Sequence, residues 1–474
     1  MLRIATLVLV LLATTGIYAQ QAWSLKTCID YASENNLELK QQSLYIDMYR
    51  NNALTSKIGL LPSINAGVNQ NFSFGRSVDP FTNEFAEENV SSTNASISGS
   101  VTLFNGFQQY NTIRKSEADL QAGLYDLESA KNNLALNITS AYLQILYARE
   151  VLETARLQAE ITREQLERTI KLVGAGSLPL QSKLEVEAQL ATEEVAVVNA
   201  ENQLAMARLN MVQLLQLDDE SDFEIIIPDL SSLIGNAIMM PVESIYQEAL
   251  KNMPEIKSAS MKMRSSDLQL ALARGSRSPQ ISLSASYGTG YSNARKMIDQ
   301  VTPAAPVLTG YATDPYGNYY DVYQYNFDYS YVTRPFGDQL RDNASASVSI
   351  GMSIPIFNGW YTNNRIANAK IEALQSNLSY NIAERQLYRN IQQAHADARA
   401  ALKKYEAAEK AFNASKASFE YTQQRFDLGL VNSLDFNTAK TNLNRLKSDM
   451  INAKYDLIFK QKILDFYRGI GISL

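Results

Sequence analysis

Two copies of one strand-to-helix pattern constrain the fold of this chain more than any other feature. In the first copy, apolar and polar residues alternate from Ser96 until a Phe-Asn-Gly triplet ends at Gly106. In the second copy they alternate from Ser347 until the same triplet ends at Gly359, 253 residues further on. At each triplet the two-residue period of a strand changes to a helical period that lasts about 70 residues. The chain is therefore predicted to contain an internal duplication in which a strand leads directly into a long helix.

The helical pattern after the first triplet has the spacing of a coiled coil. From Ile113 to Val173, apolar or small residues recur at steps of three, four or seven without a proline. At 1.5 Å per residue, this helix would be roughly 100 Å long. A second seam with similar spacing runs from Leu184 to Val212, after a Gly-Ala-Gly break. Each copy is thus predicted to hold a long helix followed by a shorter one.

Four shorter segments alternate like strands, with apolar residues on one face and mainly Ser or Asn on the other. Eleven residues at about 3.3 Å each, tilted by ~40°, span roughly 27 Å, which matches the hydrocarbon layer of an outer membrane. We therefore predict four transmembrane β-strands whose apolar face meets lipid and whose polar face meets a wet lumen. The alternative is a soluble two-layer sheet that carries coiled-coil arms.

Four strands leave open edges, which a bilayer does not tolerate, so the strands must belong to a barrel shared between copies of the chain. Two copies would supply eight strands, and side chains fill the interior of a barrel of that size. Three copies would supply twelve strands and leave room for a conduit. The predicted fold is a mixed α and β membrane protein with two structural repeats, a shared 12-stranded trimeric barrel and a long coiled-coil α-helical extension.

The N-terminus has the pattern of a secretory signal peptide, with Arg3, an apolar run and small residues up to Ala19. A membrane anchor is the alternative, but the apolar run is too short to span a bilayer. Cys28 is the single cysteine, so no intramolecular disulfide is expected. We interpret it as a buried small residue in a helix rather than a lipidation site, because Lys26 and Thr27 precede it.

Boundaries follow from the same periodicities and from the Pro and Gly breaks. A signal peptide is predicted at 1–19 and a connector at 218–241, with a short strand at 223–227. The first repeat, at 20–217, is predicted to have a helix at about 23–60, strands at about 64–74 and 95–104, a long helix at 107–173 and a helix at 180–217. The second repeat, at 242–470, is predicted to have a helix at 242–276, strands at about 280–290 and 344–356, a long helix at 361–428 and a helix at 433–467.

The second copy has 36 more residues than the first between its two strands. This predicted loop is rich in tyrosine and weakly charged from Tyr311 to Phe336. One interpretation is a surface loop that covers the barrel mouth or meets the headgroup layer. The other is a packed Ω-like loop without a ligand.

Composition argues against several classes of function. The net charge is −6 and no Lys/Arg cluster interleaves with aromatic residues, so no nucleic-acid partner is predicted. His395 is the only histidine and has no acidic or cysteine cluster at ligand spacing, so no metal site is predicted. No phosphate-binding or dinucleotide motif occurs either. We predict that the protein is not an enzyme and uses no cofactor.

In this order and spacing, the motifs resemble the TolC family of outer-membrane efflux proteins. Proline precedes the first strand of each pair, at Pro62 and Pro279, and the triplets follow the second strand. Glycine-broken tips at 173–178 and 426–435 follow the long helices. The resemblance covers residues from about 20 to 470.

The resemblance implies a homotrimer in the outer membrane of a Gram-negative cell, with its helices forming a tunnel across the periplasm. It implies a passive exit duct for a tripartite efflux pump or a type I secretion system. The implied partners are further copies of the chain, a periplasmic adaptor (membrane fusion) protein, an inner-membrane transporter and outer-membrane lipid. The implied barrel-to-tunnel junctions are Phe104, Asn105, Gly106, Phe357, Asn358 and Gly359, and the implied adaptor-contact tips are Gly174, Gly176, Ser177, Leu178, Gly429, Leu430, Val431 and Asn432.

Asp435 matches an aspartate that lines the periplasmic constriction in several members of the family. Three copies would then supply a ring of carboxylates that favours cations. The alternative is an ordinary acid that caps the last helix or lies in its first turn. The chain departs from the family at Thr438, where a second aspartate is usual, and at Gln181 and Ser182, where the first copy has no acid.

Two other classes of protein share long helices with this pattern. A membrane-anchored adhesive or structural coiled coil would not need paired glycine-broken tips. A soluble periplasmic adaptor would need small, turn-dense β-modules rather than four membrane-length strands. Within the favoured class, the cargo stays open among drugs, metals, peptides and proteins.

Overall fold

A computed structural model of the protein describes residues 23–78, 83, 85–86, 89–217, 223–228 and 240–471. The predicted signal peptide and most of the predicted connector lie outside these residues. The chain divides into two compact units. The helical unit comprises Met1–Asn52, Lys115–Asp267 and Ile371–Leu474, and the sheet unit comprises Ala53–Arg114 and Leu268–Lys370.

The described residues form helices and strands in the order that the duplication predicts. The helices are α1 (Leu25–Asn35), α2 (Leu37–Ile58), α3 (Gln108–Gly174), α4 (Leu180–Leu215), α5 (Val242–Asn252), α6 (Pro254–Gly275), α7 (Phe336–Asp342), α8 (Tyr361–Asp427) and α9 (Ser433–Tyr467). The strands are β1 (Ser63–Ser73), β2 (Ser77–Val78), β3 (Phe85–Ala86), β4 (Val90–Phe104), β5 (Gln280–Ser292), β6 (Lys296–Thr313), β7 (Tyr319–Thr333) and β8 (Ser345–Ser353).

The helices predicted at about 23–60 and 242–276 are each two helices, so the prediction of single helices was wrong. Asn36 has an extended ψ of 126°, and its side-chain oxygen accepts hydrogen bonds from the N–H groups of Glu38 and Leu39. It thereby caps α2. Met253 has a ψ of 122° because it precedes Pro254, which excludes it from helical geometry and starts α6. The two breaks lie at equivalent positions of the two copies.

Equivalent residues of the two copies build the two cores of the helical unit. Ile138 and Ile391, 253 residues apart, are both fully buried, one in each core. Cys28 is fully buried in the first core, where its equivalent in the second core is Ile245. The thiol therefore serves as a small apolar side chain, as predicted, and burial raises its pKa to about 12. None of the described helices is both long and apolar enough to cross a membrane.

The sheet unit contains a four-stranded antiparallel sheet in the order β1-β4-β5-β8. Ser63 pairs with Ser100 in the first hairpin, and the equivalent residues Gln280 and Ser353 pair in the second. The duplication therefore extends to the strand register. β1 and β8 are the edges of this sheet, and neither has a second strand partner among the described residues. Serine hydroxyls pair across the polar face, as between Ser284 and Ser349 at 2.8 Å.

The long loop predicted between the strands of the second copy is instead a β-ribbon followed by a short helix. β6 and β7 form a separate two-stranded antiparallel ribbon, and α7 follows it. The packed Ω-like loop was therefore wrong, whereas the interpretation as a surface segment that covers the barrel mouth or meets the headgroup layer stays a prediction. The short strand predicted at 223–227 was also wrong, since Ile225 makes only an isolated bridge to Trp23.

Candidate functional site

Each Phe-Asn-Gly triplet forms a junction between a strand and a long helix in the sheet unit. Gly106 and the following Phe107 have φ values of +67° and +61°. The equivalent Gly359 and Trp360 have φ values of +63° and +68°. Two successive residues in the left-handed region turn the chain sharply, and only glycine adopts that region without a steric cost.

The asparagine of each triplet caps the helix that follows. The Asn105 side-chain oxygen accepts a hydrogen bond from the Gln109 N–H at 3.2 Å. The Asn358 side-chain oxygen accepts from the Thr362 N–H at 3.4 Å. The sequence indicated that the triplets provide backbone freedom. It gave no sign that the aromatic residue after each glycine would share the left-handed conformation.

The first junction packs against the start of the second repeat's hairpin. A Cβ added at Gly106 would overlap the Gly275 carbonyl oxygen and would lie 2.5 Å from the Ser278 Cβ. Phe104 and Phe107 also meet edge to face, with ring centroids 5.5 Å apart. Gly275 and Ser278 were not predicted as junction residues, because their role depends on the pairing of β4 with β5.

The second junction has open space around it within the chain. A Cβ added at Gly359 would meet no atom within 4 Å. The side chains beside it are largely exposed, including Phe357 at 82% and Trp360 at 67%. An aromatic surface of this kind is typical of a contact with another molecule.

The two predicted tips, in the helical unit, turn in the same way. The Gly176 and Ser177 N–H groups donate to the Val173 and Leu172 carbonyls at 3.0 and 2.9 Å. The Gly429 and Leu430 N–H groups donate to the Phe426 and Arg425 carbonyls at 2.9 and 2.8 Å. This is the Schellman arrangement, and its left-handed residues are Gly176 and Gly429. Gly174 is the last residue of α3 and does not make the turn.

The structure brings the two tips together around a cleft of about 820 Å³. Leu178 lines it from the first tip, and Gly429, Val431 and Asn432 line it from the second. Arg168 and Asp427 form an exposed ion pair at 3.4 Å between the two hairpins. The exposed apolar side chains at and beside the tips are Leu178, Leu180, Leu428, Leu430 and Leu434.

Asp435 is exposed in the first turn of α9. The residue that caps this helix is Asn432, whose side-chain oxygen accepts from the Asp435 N–H at 2.8 Å. An acid at this position is favourable toward the helix dipole, which is the structural role weighed from the sequence. Asp435 does not line the cleft between the tips.

A buried polar cluster that the sequence did not reveal joins the two hairpins. Lys440 of α9 is 2% exposed, and its ammonium lies 3.4 Å from a Glu193 carboxylate oxygen of α4. The Thr162 hydroxyl of α3 is fully buried and bonds to both. Burial lowers the pKa of Lys440, and Glu193 opposes that shift. The available signal was that Lys440 and Thr162 fall on the apolar seams of their helices.

Within the part of the chain that the structure describes, no group of three or more His, Cys, Asp or Glu side chains could hold a metal ion. His395 contacts the Met240 carbonyl at 3.1 Å.

The chain matches the family model described as outer membrane efflux protein over residues 28–216 and 245–467. These two segments correspond to the two repeats. The match covers well over half of the chain.

Two outer membrane proteins match along most of the chain. The outer membrane protein TolC of Escherichia coli is 22% identical over 447 residues, which are 93% of this chain and 81% of that protein. The outer membrane efflux protein BepC of Brucella suis is 20% identical over 453 residues, which are 95% of this chain and 86% of that protein.

Solved structures share the fold at still lower identity. A CusC structure has a TM-score of 0.75 at 15% identity, with 96% of each chain covered. The Campylobacter jejuni CmeC outer membrane channel has a TM-score of 0.71 at 16% identity, with 94% of this chain and 86% of that chain covered. The chain therefore belongs to the outer membrane efflux protein family and is an outer-membrane exit duct for efflux pumps.

Proposed function

We propose that three copies of the chain join their four-stranded sheets into one twelve-stranded barrel, and that their helices continue it as a periplasmic tunnel. The observation that carries this proposal is the open sheet, whose edge strands β1 and β8 have no further partner in the part of the chain that the structure describes. Unpaired backbone groups at a sheet edge invite a further strand, and a membrane requires that they be paired.

The exposed apolar residues of the sheet support a lipid contact. Ile64, Val68 and Phe72 alternate along β1 with exposures of 69%, 71% and 62%. Val348 and Ile350 on β8 are 74% and 71% exposed. Serine and asparagine occupy the opposite face, which suits a water-filled lumen.

The internal repeat predicts how neighbouring copies would pair. β4 pairs with β5 inside the chain, with Ser96 opposite Gly288. The equivalents of β4 and β5 in the other copies of the repeat are β8 and β1. Transferring the register places Ser349 of one chain opposite Asn71 of the next. Both residues lie on the polar face of the sheet.

We assign the tips to contact with a periplasmic adaptor protein, which would connect the duct to an inner-membrane transporter. Leu428 and Leu430 are 74% and 65% exposed, beside the 820 Å³ cleft, and offer an apolar surface to a helical partner. Gly174, Gly176, Ser177, Leu178, Gly429, Leu430, Val431 and Asn432 form this surface. The transport energy would come from the transporter, and the duct would be passive.

Asp435 is the proposed aperture residue. Its exposed carboxylate, repeated by three-fold symmetry, would form a ring that attracts cations. The ring would be less acidic than one with further carboxylates, because Thr438 and Ser182 occupy the related positions.

Type I secretion of proteins is the second proposed use of the same duct.

The assembly is tested by fractionating cells and weighing the purified protein by native mass spectrometry in detergent. We expect the protein in the outer-membrane fraction with the mass of three mature chains. A soluble single chain would contradict the proposal.

The cargo is tested separately by deleting the gene and comparing antibiotics, metals and secreted proteins. Deletion should raise sensitivity to the transported class, and the intact gene should restore resistance.

A further inference from the structure

The β6–β7 ribbon has one face that is mainly aromatic, interrupted near its tip by Asp321, which pairs with Tyr311. Along β7, alternate residues are aromatic from Tyr323 to Tyr331. β6 contains three register shifts, between Ile298 and Gln300, Ala304 and Val307, and Leu308 and Gly310. These bulges change which residues of β6 share a face with those of β7. As a result every aromatic residue of the two strands except Tyr320 falls on one face, which comprises Ile298, Val301, Pro303, Leu308, Tyr311, Tyr319, Asp321, Tyr323, Tyr325, Phe327, Tyr329 and Tyr331. Met297, Val307, Tyr320, Val322 and Val332 lie on the opposite face.

The opposite face of the ribbon is largely polar along its middle. Gln324, Asn326, Asp328 and Ser330 alternate with the aromatic residues of β7. The aromatic side chains are nevertheless exposed, from 44% for Phe327 to 78% for Tyr325. The ribbon is therefore amphipathic, and none of the residues that the structure describes covers its aromatic face.

The root of the ribbon is fixed to the four-stranded sheet. Gln339 of α7 is fully buried and exchanges hydrogen bonds with the Ser292 backbone at 3.0 and 2.9 Å. Asp342 pairs with Arg334 at 2.5 Å and lies 3.8 Å from Arg295. The ribbon therefore leaves the sheet at a defined position rather than through a free linker.

The size of the face fits a protein interface. Seven aromatic side chains of about 200 Å² each, a little over half exposed, present roughly 800 Å². That is the area one partner buries in a standard interface. An isolated two-stranded ribbon is also only marginally stable in water, so a covering surface would stabilise it.

Charge disfavours a lipid headgroup surface as the partner. Between residues 296 and 333 the only basic residue is Lys296 at the root, whereas Asp299, Asp314, Asp321 and Asp328 are acidic. Anionic headgroups attract basic segments and repel acidic ones. Aromatic faces, in contrast, pack on one another edge to face without a charged partner.

We propose that the aromatic faces of the β6–β7 ribbons pack against one another between copies of this chain. This inference rests on the three-copy assembly proposed above. A strand of 15 residues at about 3.3 Å reaches roughly 50 Å, whereas a ring of twelve tilted strands about 4.8 Å apart is roughly 25 Å across. Each ribbon can thus reach its neighbours. Tethering to one ring gives the ribbons a local concentration in the millimolar range, so that even a weak contact forms.

The test uses the full-length assembly with a single cysteine placed on either face of β7. Tyr325→Cys lies on the aromatic face, and its neighbour Asn326→Cys lies on the polar face as the matched control. Cys28 is buried and does not compete for reagent. A short bismaleimide should link Tyr325→Cys chains into dimers several-fold more than Asn326→Cys chains. Native mass spectrometry of the same samples reports whether three copies are present.

Four outcomes decide the proposal. Preferential linking of Tyr325→Cys in a three-chain assembly supports it. A three-chain assembly with equal or no linking overturns it and leaves the proposed assembly intact. A single-chain mass overturns both proposals. A polarity-sensitive fluorophore on Tyr325→Cys that shifts to the blue only with phosphatidylethanolamine/phosphatidylglycerol vesicles, without linking, assigns the face to lipid and also overturns it.

Discussion

Gly106 and Gly359 hold equivalent positions in the two repeats and have nearly the same φ, yet their surroundings differ. Gly106 is closed in by Gly275 and Ser278 of its own chain, whereas Gly359 has open space around it. The residues that close in Gly106 lie just before β5, the strand that pairs with β4. Their equivalents before β1 are residues 58–61. The difference therefore marks where a neighbouring copy is expected to sit against the second junction.

A similar asymmetry separates the two hairpins near the tips. Lys440 of the second copy is buried against Glu193 of the first. The residue of the first copy equivalent to Lys440 is the exposed Glu187, and the residue of the second copy equivalent to Glu193 is the half-buried Leu446. Within the described residues, one buried ion pair therefore joins the two hairpins. The second repeat has the apolar Leu446 in place of its acidic member Glu193.

The largest effect is expected from Lys440→Met. It leaves the Glu193 carboxylate buried without its cation, which costs about 3–5 kcal/mol of stability. Thermal unfolding of the helical part, followed by circular dichroism, measures the loss. The double variant Lys440→Met with Glu193→Leu, which copies the leucine of the second repeat, should recover most of it. Equal losses in both variants would show that the charge pair is not the cause.

Gly106→Ala should be the next most damaging change. The new Cβ overlaps backbone and side-chain atoms of Gly275 and Ser278, and a φ of +67° strains any residue with a side chain. We expect the overlap and the strain together to lower the folding stability by about 3 kcal/mol. The loss of stability should appear as a lower yield of heat-modifiable protein in outer membranes. Normal yield would mean that the first junction is less closely packed than described.

Gly359→Ala separates the two causes of the Gly106→Ala effect. It introduces the strain of a side chain at positive φ, but the new Cβ overlaps no atom of its own chain. The folding stability of dissociated chains should fall by only about 1–2 kcal/mol. If the next copy covers this junction, the melting temperature of the assembly should fall nearly as far as for Gly106→Ala. A small effect on both the dissociated chain and the assembly would contradict the inferred neighbour.

Asp435→Ala should have the smallest effect on stability, since it removes only a first-turn acid worth about 0.3–1 kcal/mol. Its expected effect is on conduction, because the proposed ring of carboxylates loses its charge. Planar-bilayer recordings should show weaker block by divalent cations and altered conductance. Asp427→Asn, a nearby acid outside the proposed ring, serves as the control. Unchanged block in Asp435→Ala would remove Asp435 from the aperture.

The duplication, the junctions and the tips were readable from the sequence because they rest on local periodicity and on glycine spacing. The Lys440 cluster was not, because it forms only when α3, α4 and α9 pack together. The ribbon was hidden for a different reason. Three bulges and the prolines 303 and 306 interrupt the alternation of β6, so that the two-residue period is lost.

The most direct test of the account is the register between copies of the chain. With Asn71→Cys and Ser349→Cys in the same chain, oxidation should join every copy to the next and yield a covalently closed trimer in denaturing gels. Moving the first cysteine to Asn65, about 20 Å along the strand, should abolish the links. Single chains, or links that form equally from Asn65→Cys, would contradict a twelve-stranded barrel closed between β8 and the neighbouring β1.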